Sequence, residues 1–377
     1  MKKHRGRGEG SIVRRRDGRW TAIVSLGWRD GKRRRKSIYG RTRQDVALEL
    51  TSLLGKRDAG IELPSRGASV EHFLARWLDN VRNALRPRTF EKFESVVRLH
   101  IVPDLGKFRL EKLTPDAVQA LLNRKLAAGA SPQSVRHIRM ILGLALKQAV
   151  GWNLLIRNVA AMTKGPKVER TTIHPMTADA ARVFLASIEN ARLGSLYVLA
   201  FTLAMRRGEL CGLRWDDVNL DGREIHVRQS LQRVGGRLQL LPLKTKSSIR
   251  TITLPVRAIA ALKRQRVRQI EERLAAGADW QGNANGLVFT SRRGTPVEPR
   301  NVYRQFHVLL EKAGLPIVRF HDIRHTAATV LFEDGASAKQ VQALLGHSRV
   351  GTTLDIYTHV TPATLDDTAG RIDLILG

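Results

Sequence analysis

The spacing of apolar residues changes twice along the chain and divides it into three predicted domains. Residues 1–60 hold short runs of alternating apolar and polar positions, which are typical of strands, followed by a helical pattern. Residues 68–164 place apolar side chains three and four positions apart, as amphipathic helices do. Residues 173–377 combine helical patterns with short strands. The sequence therefore predicts a multidomain, mainly α-helical fold with small β elements.

The first domain is predicted to be a three-stranded sheet plus one helix. Tight hairpin turns are favoured at Asp17-Gly18 and Asp30-Gly31, and a helix is expected from Thr42 to Leu54. The three strands are expected at 10–13, 20–25 and 35–39. Residues 61–68 contain proline and glycine and predict a linker.

The second domain is predicted to contain four or five helices and no sheet. Two of these helices should begin at Thr114-Pro115 and Ser131-Pro132, because a capping hydroxyl followed by proline is a common helix start. Residues 163–172 predict a second linker. In the third domain, α+β in pattern, strands are expected at 224–228, 238–241 and 250–254, with Gly235-Gly236 turning the first hairpin.

The charge of the chain narrows the class of partner. Lys and Arg outnumber Asp and Glu by 65 to 34, a formal net charge of +31, and 18 basic residues against 6 acidic ones fall in residues 1–60. This excess favours nucleic acid as the partner. The basic runs at 14–16 and 33–36 lie near the predicted turns, where they could reach phosphates. A solvated edge that deters strand pairing is the alternative.

Two features bear on membranes and redox state. The longest apolar run, Leu196 to Met205, is too short to span a bilayer and predicts a buried helix. The single cysteine, Cys211, excludes a disulfide within the chain and suits a reducing compartment, and we expect it to be a core residue.

Four residues near the C-terminus could together attack a phosphodiester: His321, Arg324, His347 and Tyr357. A side-chain nucleophile creates a pentavalent transition state, whose extra negative charge requires cationic donors. Arginine suits this role because its planar fork binds two phosphate oxygens at once. Each residue alone is more often structural, and the hypothesis depends on their joint occurrence.

A further arginine could join them. Arg206 and Glu209 lie three positions apart and should share a helix face, so the carboxylate could hold the guanidinium rigid. By contrast, Asp216, Asp217 and Asp221 could suggest a metal-dependent nuclease, but a polar strand entry near Asp221-Gly222 is the interpretation that we favour.

These residues give the chain a resemblance to the tyrosine recombinases of the phage integrase family. The family signature is Arg, Lys, His-x-x-Arg, His and Tyr in that order. The matching residues are Arg206, Lys244, His321, Arg324, His347 and Tyr357, within the strings RRGEL, KTKSS, HDIRHT and LLGHS. Many members have Thr-Gly where this chain has Leu203-Ala204, and this departure is expected to loosen the turn slightly.

The resemblance implies an identity for each predicted domain. Residues 1–60 resemble an arm-type DNA-binding domain, 68–164 a helical, SAM-like core-binding domain, and 173–377 the α+β catalytic domain. The implied partners are double-stranded DNA with core and arm attachment sites, and three further copies of the chain in a tetramer. An excisionase or a DNA-bending protein could also take part. The implied location is the bacterial cytoplasm, at the nucleoid.

The resemblance also implies roles. Tyr357 would attack the scissile phosphate to give a 3′-phosphotyrosyl link, while Arg206, Arg324 and His347 bind the phosphate. Lys244 would be the general acid, with Lys246 as the alternative. His321 would accept a proton near the nucleophile, and Glu209 would support the site. No cofactor is expected, because the protein linkage conserves the phosphodiester energy and the sequence contains no phosphate-binding loop and no zinc motif.

Three functions are therefore compared. The leading hypothesis is a site-specific recombinase that integrates or excises a mobile element, since the arm-like domain would be unnecessary for resolving chromosome dimers. A type IB topoisomerase would use the same chemistry on one duplex, but the string around His347 and the N-terminal domain argue for recombination. A DNA-binding protein without catalysis would show decay at the six signature positions, and none is visible.

Overall fold

The computed structural model describes residues 11–29, 32–58, 68–169, 175–243, 245–346 and 351. The chain forms two compact units, Met1–Arg170 and Thr171–Gly377, and their boundary falls inside the second predicted linker. The first predicted linker lies almost entirely outside the described residues. The division of the first unit into two domains stays a prediction, although that unit contains two separate hydrophobic clusters.

The N-terminal sheet of the first unit has the predicted arrangement. Its strands are antiparallel in the order β1-β2-β3 and are followed by one helix. The elements are β1 Ser11–Arg14, β2 Trp20–Arg29, β3 Lys32–Gly40 and α1 Arg43–Asp58. Ala22, Val24 and Ile38 lie on the sheet face that packs against Val46 and Leu50 of α1. The expected turn at Gly18 is present (φ 80°), whereas Asp30-Gly31 lies outside the described residues.

The rest of the first unit is helical, as expected. Its helices are α2 Val70–Arg82, α3 Pro87–Val96, α4 Val102–Leu105, α5 Pro115–Ala127 and α6 Pro132–Gly151, and a π-helical turn, Val97–Ile101, joins α3 to α4. Both predicted helix starts are confirmed. The hydroxyl of Thr114 accepts from Ala117 N at 3.2 Å, and that of Ser131 accepts from Ser134 N at 3.2 Å. Each cap satisfies a backbone donor that has no partner within the helix.

The second unit interleaves helices with short strands. Its helices are α7 Ala178–Ser187, α8 Gly194–Leu203, α9 Arg207–Cys211, α10 Val256–Ala276, α11 Pro299–Lys312, α12 Asp322–Glu333 and α13 Ala338–Leu345. Its strands are β4 Val218–Asn219, β5 Glu224–Val227, β6 Gln229–Val234, β7 Arg237–Pro242 and β8 Arg250–Thr253. The three expected strands correspond to β5, β7 and β8.

The pairing of these strands corrects one expectation. Gly235-Gly236 does turn a hairpin, but that hairpin joins β7 to β6, a strand that the sequence analysis missed. β5 instead lies between β4 and β8 in a separate three-stranded sheet. No turn residue separates β5 from β6, and polar residues interrupt the apolar pattern of β6, so the pattern alone did not reveal two strands.

The core of the second unit surrounds α8, which is buried along nearly its whole length, as its apolar sequence predicted. Tyr197 of α8 packs against Phe184 and Phe306, with the three ring centroids 5.3–6.1 Å apart. The Tyr197 hydroxyl donates to Val302 O at 3.0 Å. Cys211 belongs to this core as expected, and burial raises the pKa of its thiol to about 12. Among the described residues, no helix is both long and apolar enough to cross a membrane.

Two glycines should respond oppositely to alanine substitution. A Cβ on Gly212, just after α9, would lie 2.7 Å from Leu231 N of β6, so Gly212→Ala should separate α9 from β6 at a cost of about 1–3 kcal/mol. A Cβ on Gly143, inside α6, would meet no atom within 4 Å outside its own helix backbone and chain neighbours, so Gly143→Ala should stabilise α6 by about 0.5–1 kcal/mol. Hydrogen exchange of the slowest amides in each unit would measure both effects. Equal protection of α9 in wild type and Gly212→Ala would contradict the close approach.

Candidate active site

The first candidate arginine follows a tight turn at the end of α8. Ala204 adopts the left-handed conformation (φ 48°, ψ 33°), and Arg206 precedes the first residue of α9. The Arg206 backbone N donates to Glu209 Oε2 at 3.0 Å, and its Nη1 donates to Glu209 Oε1 at 2.8 Å. Glu209 therefore caps α9 and also fixes the guanidinium, which confirms the contact expected from their spacing.

Glu209 binds a second guanidinium. Arg250, at the start of β8, donates from Nη2 to Glu209 Oε2 at 3.0 Å, and the side chains of Arg250 and Glu209 are only 7% and 1% exposed. Burial raises the pKa of the Glu209 carboxyl, but the charges and hydrogen bonds of Arg250 and Arg206 outweigh it and hold the pKa below its ordinary value. Glu209 is therefore a carboxylate shared by two arginines.

A third guanidinium lies in the same cluster. Arg324, in the first turn of α12, is only 3% exposed. Its Nη1 donates to Ala204 O at 2.5 Å and its Nη2 donates to Leu345 O, while its buried Nε has no acceptor among the residues that the structure describes. Burial lowers the pKa of Arg324 to about 9, and the positive charges of Arg206 and Arg250 act in the same direction.

The contact with Ala204 bears on the departure from Thr-Gly noted in the sequence. The turn keeps the left-handed backbone that glycine adopts most readily, and Arg324 holds its carbonyl. The alanine thus keeps a turn that brings the ends of α8 and α12 together. An alanine in this conformation costs roughly 1–2 kcal/mol.

His321 lies at the N-terminus of α12, three residues before Arg324. Crowding of the ring by protein lowers the pKa of His321 to about 4, and His325, Arg324 and Arg206 add to the shift. The residue is exposed, so hydration offsets part of the burial effect. The positive charges of Arg324 and Arg206 also lower the pKa, and the negative charge of Asp322 opposes them. The His325 ring stands edge-on to it, with centroids 5.2 Å apart. His321 is therefore neutral near pH 7, with a ring nitrogen able to accept a proton.

The structure brings together three of the six predicted catalytic residues: Arg206, His321 and Arg324. Lys244, His347 and Tyr357 lie outside the described residues, and only the backbone of Lys246 is described, in a short 3₁₀ turn. The predicted helix before His347 is present as α13, with Val341 and Leu345 buried. The structure therefore describes the candidate site as far as Gly346, the residue before His347.

Sequence reasoning missed Arg250, although a signal was present. Side chains alternate between the two faces of a strand, so Arg250 shares the face of Ile252 and Leu254, which are 5% and 0% exposed. An arginine on a buried face needs an anionic partner, because an unpaired charge is costly inside a protein. The alternation of side chains along β8 could have indicated that Arg250 has an anionic partner, but not that this partner is Glu209.

Two of the three aspartates that could suggest a metal site, Asp216 and Asp217, pair with arginines. Asp216 pairs with Arg214 at 2.8 Å, and the buried Asp217 lies 3.5 Å from Arg228 Nε. The described residues contain no group of three or more His, Cys, Asp or Glu side chains that could hold a metal ion. Asp221 lies in the turn before β5, in agreement with the polar strand entry expected near Asp221-Gly222, whereas Asp216 and Asp217 belong to a short 3₁₀ turn that leads into β4.

The cluster has more positive charge than it can neutralise itself. Among the residues that the structure describes, Arg206, Arg250 and Arg324 interact with one carboxylate, Glu209, and the nearby Asp322 is paired with Arg319 at 2.8 Å. An unneutralised and partly buried cationic cluster favours an anionic ligand. Arg206, whose side chain is 36% exposed, is the member of the cluster that solvent reaches most easily.

Two protein-family models match this chain. The Phage integrase family model matches residues 174–364, and the model of the phage integrase N-terminal SAM-like domain matches residues 69–126. A protein of Caldanaerobacter subterraneus subsp. tengcongensis named "Tyrosine recombinase XerC-like" is 31% identical over 353 residues, which cover 88% of this chain and 90% of that relative.

Two solved structures share the fold. The Tn1549 transposon integrase, in complex with a circular intermediate DNA, matches with a TM-score of 0.69 and 22% identity, over 81% of this chain and 99% of that one. A lambda integrase tetramer bound to a Holliday junction matches with a TM-score of 0.58 and 20% identity, over 94% of this chain and 96% of that one. The fold class expected from the sequence is confirmed.

Replacing Glu209 should reveal its role as a buried counterion. Glu209→Gln leaves Arg206 and Arg250 without their negative charge and should destabilise the second unit by about 3–5 kcal/mol at neutral pH. The folded-state pKa of Glu209 lies below its ordinary value of 4.5, so its contribution is present above that pH and is lost as the pH falls through the folded pKa. Urea unfolding of both proteins at several pH values would measure the difference.

Glu298→Gln is the matched control for this substitution. Glu298 pairs with Arg233, whose side chain is 50% exposed, so the control should cost only about 0–1 kcal/mol. A wild-type advantage over Glu209→Gln that stayed constant as the pH fell below 4.5 would show that Glu209 is not an ionised counterion.

Proposed function

Since the chain belongs to the phage integrase family of tyrosine recombinases, we propose that it cuts and rejoins DNA through a 3′-phosphotyrosyl intermediate formed by Tyr357. The substrate is double-stranded DNA at the ends of a mobile element, and the reaction integrates or excises that element. The Tn1549 protein, a transposon integrase solved with DNA, supports this substrate class.

One observation carries the proposal: among the residues that the structure describes, the buried guanidinium of Arg324 has no acceptor for its Nε and lies in a cluster whose positive charge exceeds its negative charge. A buried donor without a partner costs about 1–3 kcal/mol, which is relieved when an acceptor binds. The non-bridging oxygens of a phosphodiester are such acceptors, and they acquire further negative charge in the transition state. Arg206 and Arg324 would hold these oxygens, and His347 would donate a further hydrogen bond.

The proposed chemistry exchanges one ester for another. The phenolic oxygen of Tyr357 forms a bond to phosphorus, the bond to the 5′-oxygen breaks, and the proton of the phenol passes to the neutral His321. Lys244, or Lys246 in its place, protonates the leaving 5′-oxygen. A cationic neighbourhood lowers the pKa of a lysine and so favours this transfer. The reverse attack by a 5′-hydroxyl rejoins the DNA without an external energy source.

The three predicted domains would divide the work. The N-terminal domain, residues 1–60, would bind arm sites. The helical domain, 68–164, and the C-terminal domain, 173–377, would together bind the core site, and the C-terminal domain would carry out catalysis. The lambda integrase tetramer on a Holliday junction supports a tetrameric assembly for this chain as well. An excisionase or a DNA-bending protein could control direction, and the bacterial cytoplasm is the expected compartment.

Removing one oxygen atom tests the nucleophile. We expect Tyr357→Phe to bind DNA as wild type does but to form no covalent adduct, because phenylalanine has no nucleophilic oxygen. The substrate is a nicked duplex that contains the junction between the element and its host chromosome, from which the 5′-hydroxyl fragment diffuses away after cleavage. Denaturing gel electrophoresis measures the adduct. A normal yield from Tyr357→Phe would refute the assignment.

Two arginines test the N-terminal DNA contact. Arg15→Ala combined with Arg34→Ala should weaken DNA binding and reduce the slope of log K against log salt by up to about 2, because each lost phosphate contact contributes roughly 0.9. Arg257→Ala combined with Arg264→Ala, at exposed positions of α10, removes the same charge elsewhere. Fluorescence anisotropy at several salt concentrations would measure the DNA affinity of both double variants. Equal effects of both pairs would show that the N-terminal sheet is no specific DNA contact.

A further inference from the structure

We propose that Arg250 is a positioning residue that joins three parts of the active site: the first phosphate-binding arginine, the lysine loop, and the end of α13 that leads to His347. The inference rests on the proposed function, since it assigns Arg250 a task in that reaction. Arg250 is not among the six signature residues, and it is too deeply buried to serve as a surface contact.

Each nitrogen of the Arg250 guanidinium donates to a different part of the chain. Nη2 donates to Glu209 Oε2 at 3.0 Å, Nε to Leu344 O at 2.9 Å, and Nη1 to Ser248 O at 3.1 Å. Two of these partners, Glu209 and Leu344, are 41 and 94 positions away in sequence. One rigid, planar group therefore fixes the distances between the segments that contain Glu209, Ser248 and Leu344.

The contact with Glu209 reaches the first arginine. The same carboxylate binds the backbone and the guanidinium of Arg206, so its orientation determines where the Arg206 fork points. Without Arg250, one Glu209 oxygen would lose a charged donor and the carboxylate could rotate. The phosphate-binding geometry of Arg206 would then be less well defined.

The contact with α13 reaches the segment that carries His347 and Tyr357. Helix ends leave carbonyl groups without partners, and the last two of α13 are bound by arginines: Leu344 O by Arg250 and Leu345 O by Arg324. The next residue, Gly346, adopts a left-handed conformation (φ 61°), and a Cβ there would lie 3.1 Å from both Arg250 Cδ and Ser247 O. Arg250 thus packs directly against the residue that precedes His347.

The contact with Ser248 reaches the lysine loop. Ser248 ends a short 3₁₀ turn that begins at Lys246, and its hydroxyl lies 2.8 Å from Thr245 Oγ1. Thr245 directly follows Lys244, the proposed general acid. The carbonyl held by Arg250 is therefore at the base of this loop. A lysine at position 250 would have a single nitrogen and could not match three acceptors with the geometry of a guanidinium.

Single-turnover cleavage by the full chain tests this role on the same nicked duplex, at saturating and limiting DNA concentrations. Arg250→Gln should reduce the cleavage rate at saturation by about 100-fold, because small displacements of catalytic groups have effects of this size. Arg250→Lys should recover part of the rate. The half-saturating DNA concentration should change less than about threefold, because Arg250 does not itself bind DNA in this proposal.

Arg192→Gln is the control for loss of a paired arginine in the same unit. Arg192 binds Glu272 with two nitrogens, at 2.6 and 2.8 Å, and also donates to Thr290 O at 2.7 Å. This variant should lose stability but keep the wild-type cleavage rate at a temperature where both proteins are folded, as checked by circular dichroism. An Arg250→Gln rate at saturation equal to that of Arg192→Gln would overturn the proposal.

A second pair of variants tests the contact from the other side and leaves Arg250 in place. Gly346→Ala and Gly335→Ala both put a side chain on a left-handed residue (φ 61° and 87°), but only the first meets Arg250, since Gly335 has open space around it. We expect Gly346→Ala to slow cleavage at least tenfold more than Gly335→Ala. Equal cleavage rates of Gly346→Ala and Gly335→Ala would contradict the proposal. This comparison remains valid even if Arg250→Gln does not fold.

The outcome is separable from that of the proposed function. Adduct formation by wild type and its absence in Tyr357→Phe establish the reaction independently of Arg250. If both hold and Arg250→Gln cleaves normally, only the positioning role is wrong.

Discussion

Glu209 accepts hydrogen bonds from two guanidinium groups, and the arrangement of the active site depends on this shared carboxylate. With Arg324 also in the cluster, three guanidinium groups, two of them buried, face one carboxylate among the described residues. Such an excess would be unfavourable in a protein that binds no anion. In the proposed reaction it means that the arginines assigned to phosphate binding are already in place before DNA arrives, so that less reorganisation would be needed when charge develops on the phosphate.

The backbone has an equal part in the arrangement. The carbonyls of Ala204, Leu344 and Leu345 lie where helices end and so have no partners within their helices. Two buried arginines use them as acceptors. Because these carbonyls belong to α13 and to the turn after α8, the same hydrogen bonds that stabilise the helix ends also bring together segments that are far apart in sequence.

Much of the fold could be predicted because local signals were strong. Thr114-Pro115 and Ser131-Pro132 mark helix starts through hydrogen bonds within four residues, and Gly235-Gly236 marks a hairpin turn. The strand β6 was missed because no turn residue separates it from β5, and the choice of partner for β5 depends on contacts with β8 that lie outside any local window. Local signals thus marked β5, β7 and β8, but they marked neither β6 nor the pairing of β5 with β8.

The sequence by itself determined the candidate residues, the Arg206–Glu209 pair and the excess of positive charge, because spacing and composition are sufficient for these. Only the tertiary structure decided that Arg250 shares Glu209 with Arg206, that Arg324 binds the ends of two other segments, and that the pKa of His321 lies below its ordinary value. These properties depend on burial and on distances between remote segments. Neither quantity exists until the chain has folded.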